Sequence, residues 1–179
     1  MPKRSYRIAL GGLLSALAIG IMLLGSAVPF ATFAVPAIAA LAVLYFTVEY
    51  GRRFALLVFL AIAFLSLMLV PDKETALIFS LLLGPYPMLK GMIEGMKRKA
   101  LGFLLKFLLL NTSVALTYWL LLNFFAQQAL IDEFLGYTRM MTAGLLLLGN
   151  AAFLFYDIAL TRLVSLYIYR LKPRLERGR

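Results

Sequence analysis

Six apolar stretches, each about as long as a bilayer's hydrocarbon core is thick, follow one another along this chain with only short breaks. They cover residues 8–25, 31–48, 54–70, 75–93, 100–125 and 143–169. At about 1.5 Å of rise per residue, roughly 20 residues carry a helix across about 30 Å of hydrocarbon. Each stretch is apolar on every face, which sets it apart from an amphipathic surface helix. The breaks are marked by Pro29, Gly51, Pro71-Asp72, Gly95 and a polar run over 127–139. Apolar residues make up 63% of the chain and charged ones 15%, against about 45–50% and 25% in soluble domains. The reading is an all-α polytopic membrane protein, a single domain of six transmembrane helices over residues 1–179.

The charges give this topology a direction. With six spans and the amino terminus inside, the inner pieces hold Lys3, Arg4 and Arg7, then Arg52 and Arg53, then Lys97, Arg98 and Lys99, and lastly Arg170, Lys172, Arg174, Arg177 and Arg179. The outer connections hold only Lys73 and Arg139. Thirteen basic residues against two, alternating loop by loop, follow the positive-inside rule, so both termini are expected in the cytoplasm. The net charge of +10 therefore reads as a topology signal rather than a nucleic-acid surface, which would gather on one folded face. The tail from Arg170 to Arg179 can also touch anionic headgroups among the membrane lipids. The basic start, apolar run and Gly25-Ser26-Ala27 resemble a cleavable leader, but the run exceeds the usual h-region, and cleavage would leave five spans.

No cysteine and no histidine is present. Disulfides, thiolate or imidazole metal sites and every histidine-based catalytic pair are thereby excluded. The acidic residues form no metal-ligand cluster and no nucleotide-binding glycine motif follows a strand. We expect no enzyme, no catalytic residue, no metal and no cofactor.

Inside the bilayer, polar and small residues carry the information. Gly12, Ala16 and Gly20 recur every four residues on one face of the first span, suited either to close packing within the bundle or to docking another membrane protein. Gly84-Pro85-Tyr86-Pro87 interrupts the fourth span. Each proline removes a donor, and the broken backbone is either a structural kink or the wall of a cavity, with Tyr86 at its centre. Asp157 shares a face of the sixth span with Asn150 and Thr161. It forms a buried network with Lys106 and Arg162, or else serves a proton relay or a substrate contact. Lys90 and Glu94 are four apart and can pair along their helix. On the fifth span, Asn111, Thr112, Ser113 and Thr117 precede Tyr118 and Trp119, which are interfacial anchors or pocket-lining aromatics. The connection over 126–141, with Asp132, Glu133, Phe134 and Tyr137, is a linker or a short lid.

A chain of this size with six spans, both ends inside and a small-residue strip at Gly12, Ala16 and Gly20 resembles the substrate-binding S component of energy-coupling factor transporters. Short outer connections around Pro29 and Pro71 and a longer one around Phe134 match the same pattern. The resemblance implies a multi-pass subunit of a bacterial cytoplasmic membrane that captures a vitamin-like small molecule. It implies partners too: a transmembrane coupling protein docked on the first helix, and cytoplasmic ATPases. Binding in that family lies toward the outer half, which makes Asn111, Tyr118, Trp119 and Asn150 the expected contacts. Where the family often shows two alanines in the strip, this chain has glycines around Ala16.

Two other readings stand beside it. A membrane scaffold similar to the rod-shape-determining proteins of the wall machinery would use the same strip and basic loops with no pocket. A proton-linked transporter or channel would use Asp157 and a continuous polar path.

Overall fold

A computed structural model of the chain describes residues 4–28, 31–125 and 138–172. The described residues are helical, with no strand among them: α1 (Arg4–Gly25), α2 (Ala34–Glu49), α3 (Arg52–Leu69), α4 (Lys73–Ile78), a π-helical turn (Phe79–Leu83), α5 (Tyr86–Glu94), α6 (Lys99–Phe124), α7 (Arg139–Leu166) and a second π turn (Tyr167–Leu171). Among the described residues, five helical rods are long and apolar enough to cross a membrane, with α4 and α5 counted as one rod through the π turn. The 16 residues of α2 reach only about 24 Å.

Local chemistry explains where the helices begin and end. Asp72 caps α4 by accepting from the Glu74 amide at 3.0 Å, satisfying one of the open donors of a first turn. The Lys73 ammonium donates to the Leu67 and Val70 carbonyls at 3.0 and 2.9 Å, closing the last turn of α3 onto the first of α4. Between α2 and α3 the chain reverses at Gly51, whose φ of +82° is a conformation that a Cβ disfavours.

The distribution of side chains is that of a protein solvated by lipid. Leu13, Leu24, Leu57, Phe64, Leu104 and Leu108 all stand more than half exposed, while Ser66, Thr75, Lys90, Lys106, Ser113 and Thr117 are buried. In water, each exposed leucine would forfeit about 25 cal/mol per Å² of apolar surface. Hydrocarbon removes that cost and makes unsatisfied polar groups the expensive ones.

The chain divides into two units, Met1–Ile131 and Asp132–Arg179. In the first, α1, α2 and α3 pack against one another, and the rod formed by α4, the π turn and α5 lies against α2, α3 and α6. This rod is the most enclosed element: 67% of its apolar window is buried, against 28% in α1 and α3 and 22% in α6. On its buried face α6 presents Gly102, Lys106, Leu110, Ser113, Thr117 and Leu121, the spacing of three and four that one stripe of a helix requires.

One end of this unit collects its charge. Arg7 lies 5.2 Å above the Tyr50 ring, and Arg52 reaches Gly91. The start of α1, the α2–α3 turn and the α5–α6 turn therefore meet there, with Arg53, Lys97, Arg98 and Lys99 in the same turns. At the opposite end Gly25 of α1 abuts Val35 of α2, and Lys73 is the basic residue in the described turns. Among the described residues, the second unit holds α7 and its π turn. Leu145, Leu146, Leu147 and Leu148 are exposed, whereas Asn150, Phe153, Asp157 and Leu160 form its less exposed stripe.

Candidate functional site

Polar chemistry within the first unit falls at three levels along the rod of α4 and α5. The middle level is the interruption. Pro85 has no amide hydrogen to return to the Leu81 carbonyl, one turn earlier. The Ser113 hydroxyl of α6 takes that place, donating to the Leu81 oxygen at 3.0 Å. The helix has already widened, with the Gly84 amide donating to the Phe79 carbonyl five residues back at 2.8 Å, a π geometry that often marks a site where a helix is re-aimed. Gly84 is required here: a Cβ would sit 2.7 Å from the Phe79 oxygen and 2.8 Å from the Phe59 ring. Tyr86 follows, with its side chain fully buried.

At the basic end, two buried lysines share one carboxylate. Lys90 and Lys106 reach the same Glu94 oxygen, at 2.6 and 2.9 Å. The first pair is the one that a spacing of four allows along α5. The second depends on α6 docking against α5, where Gly102 passes so close that a Cβ there would lie 3.3 Å from the Ile93 carbonyl. Beside this pair of contacts runs a groove of about 240 Å³, lined by Ile93, Glu94, Met96, Lys99, Gly102, Phe103 and Lys106. Asp157 and Arg162, expected near Lys106, belong to α7 in the other unit. There Asp157 is half-buried, its backbone carbonyl accepts from the Thr161 hydroxyl at 3.0 Å, and Arg162 is exposed.

The opposite end holds the third level. The Tyr118 hydroxyl of α6 donates to Glu74 of α4 at 2.8 Å, and the Thr75 hydroxyl donates to the capping residue Asp72, with a longer contact of 3.4 Å to the Thr32 carbonyl. Glu74 was not among the residues singled out from the sequence. It lies 44 positions before Tyr118, and only its place in a capped first turn marked it.

The remaining expected contacts are distributed differently. Trp119 is exposed and packs edge-on against Phe124 at 6.0 Å. The Asn111 amide donates to the Phe107 carbonyl of its own helix at 2.8 Å, and the Asn150 amide to Leu146 at 2.7 Å. On α1, Gly12 and Ala16 are exposed and Gly20 half-exposed, whereas Gly11, Ser15, Ala18, Ile19 and Met22 are buried. No described atom of another element lies within 4 Å of where a Cβ would stand on Gly12 or Gly20. Phe134, Asp132, Glu133 and Tyr137 lie outside the described residues, as does Pro29. Among the described residues no three acidic side chains gather as a metal site would need. Comparison with protein-family models, with curated proteins and with solved structures finds no match to this chain.

Proposed function

We propose that this chain crosses a bacterial cytoplasmic membrane six times, with both termini on the cytoplasmic side, and serves as the solute-binding subunit of an uptake system similar to the S component of energy-coupling factor transporters. In this reading α2 is the short span, and the bilayer thins around it or its flanking turns enter the interface. The observation that carries the proposal is the open face of α1. Gly12, Ala16 and Gly20 lie beside the helix's buried side, with no described atom of another element within 4 Å of a Cβ on either glycine. Small residues bared to lipid gain nothing by themselves, whereas a partner helix can approach them closely. That partner would be a transmembrane coupling protein served by ATPases. The captured small molecule would lie toward the end of the first unit opposite the basic one, near Tyr118 and Trp119, with Asn111 and Tyr86 as further contacts.

The test is purification in mild detergent followed by mass spectrometry of whatever small molecule comes with the protein. A stoichiometric organic solute, lost in Tyr118→Phe, is the expected result; repeated preparations empty of any solute would overturn the reading. For docking, Gly12→Leu should abolish assembly with the coupling protein while the isolated subunit still elutes as a folded species. A scaffold role is the second reading, favoured by the fully buried Tyr86 and by the satisfied Leu81 carbonyl, which make the interruption a packed joint. A scaffold would purify without solute and still depend on Gly12.

A further inference from the structure

The groove between the end of α5 and the start of α6 has a composition that neither solute capture nor scaffolding uses. Its walls are Ile93, Met96 and Phe103, its base is the side-chain-free Gly102, and Lys99 and Lys106 stand along it with Glu94. Met96 and Phe103 are exposed, and the apolar track continues along α6 through Phe107, whose ring centroid lies 5.3 Å from that of Phe103. Lys106 lies seven residues past Lys99, which is about 10 Å deeper along the helix. The groove therefore starts at Lys99, in the first turn of α6, and descends into an apolar surface.

We propose that this groove holds an anionic phospholipid, its headgroup phosphate at Lys99 and Lys106 and an acyl chain along Met96, Phe103 and Phe107.

Several features select that occupant. A soluble anion has no use for the exposed apolar track, and a partner helix, about 10 Å across, does not enter a space of about 240 Å³. Glu94 does not reverse the sign of the site, because Lys90 and Lys106 both hold its carboxylate. The first amides of α6 add partial positive charge at the rim. Arg98, in the capping position, has no acceptor with which to satisfy them. Positive charge at the headgroup level above an apolar groove is the arrangement that retains acidic lipids. The site needs only that the α5–α6 turn lie at a bilayer surface, so it stands whichever function the rest of the chain performs.

The experiment places the full chain in nanodiscs of phosphatidylcholine containing a minority of phosphatidylglycerol and counts retained lipids by native mass spectrometry. The wild type should retain phosphatidylglycerol preferentially. In Lys99→Gln, an exposed position whose loss leaves the core intact, that preference should fall roughly fivefold, the equivalent of about 1 kcal/mol for one basic residue at the surface. Lys106→Gln should lower it further. Lys97→Gln, outside the groove, should leave it unchanged. Equal retention of the two lipids would overturn the proposal, and so would an equal loss in Lys97→Gln, which would mean diffuse charge. Quantitative displacement of the lipid by inorganic phosphate would also overturn it, since the site would then belong to a free anion.

Discussion

A carboxylate shared by two lysines is a costly object to place among membrane helices, and Glu94 shows how the cost is offset. Lys90 and Lys106 are both buried, and an ammonium removed from water needs an acceptor in reach. Glu94 supplies one to each while its own side chain stays 44% exposed. Glu94→Gln keeps the shape and removes the charge, leaving both ammoniums facing a neutral amide. We expect it to lower stability by about 2 kcal/mol, less than the loss of a fully buried pair because solvent reaches the acid. A chemical-denaturation midpoint in detergent reads this, and an unchanged midpoint would show that water screens the contact. Tyr118→Phe is the companion case at the other end. It removes a hydrogen bond to a carboxylate, worth about 1–2 kcal/mol, and the same measurement should register the loss. Of these contacts only Lys90–Glu94 was legible in the sequence, because a spacing of four is a property of one helix. Lys106–Glu94 and Tyr118–Glu74 join residues 12 and 44 apart and depend on how α6 lies against its neighbours. Hydropathy does not encode that.

The interrupted rod of α4 and α5 shows what pattern does encode at the level of an element. Gly84-Pro85-Tyr86-Pro87 announced a break from the missing amides alone, and the break is there. The sequence did not reveal its form, a π turn whose orphaned Leu81 carbonyl is satisfied by Ser113 from another helix. Ser113 was visible only as one hydroxyl among several on α6. Its role follows from register, since it shares the buried stripe with Lys106, Leu110 and Thr117. Two substitutions separate close packing from mere glycine content. Gly84→Ala would drive a methyl against the Phe79 carbonyl and the Phe59 ring, and overpacking of this kind costs about 1–3 kcal/mol. Gly20→Ala meets open space and gains helix propensity of about 1 kcal/mol, so it should be neutral or stabilising. Thermal midpoints of the two variants in one detergent make the comparison. Equal losses would mean that the Gly20 face is packed against something after all.

For the molecule as a whole, hydropathy and charge agree on more than either says alone. Apolar length gave helices of membrane-crossing size, and the described residues hold five such rods and the shorter α2. Charge gave direction. In the first unit Arg7, Arg52, Arg53, Lys97, Arg98 and Lys99 stand in turns at one end, with Lys73 at the other. A helical chain in water has no reason to sort its lysines this way, since exposed charges are solvated equally well at either end. Sorting is what insertion demands, because basic loops resist translocation. The absence of cysteine from the sequence makes this directly testable by single-cysteine labelling in intact cells. Arg53→Cys and Lys97→Cys should be protected from a membrane-impermeant maleimide until the membrane is opened, whereas Lys73→Cys should react from outside. Ser5→Cys tests the start of the chain and should behave as Arg53→Cys does. If Lys73→Cys were the protected site and Arg53→Cys the reactive one, the chain would be inserted the other way round. The groove beside Lys99 would then face the outer leaflet and still select acidic lipid, while a docking face served by cytoplasmic ATPases would lose its premise.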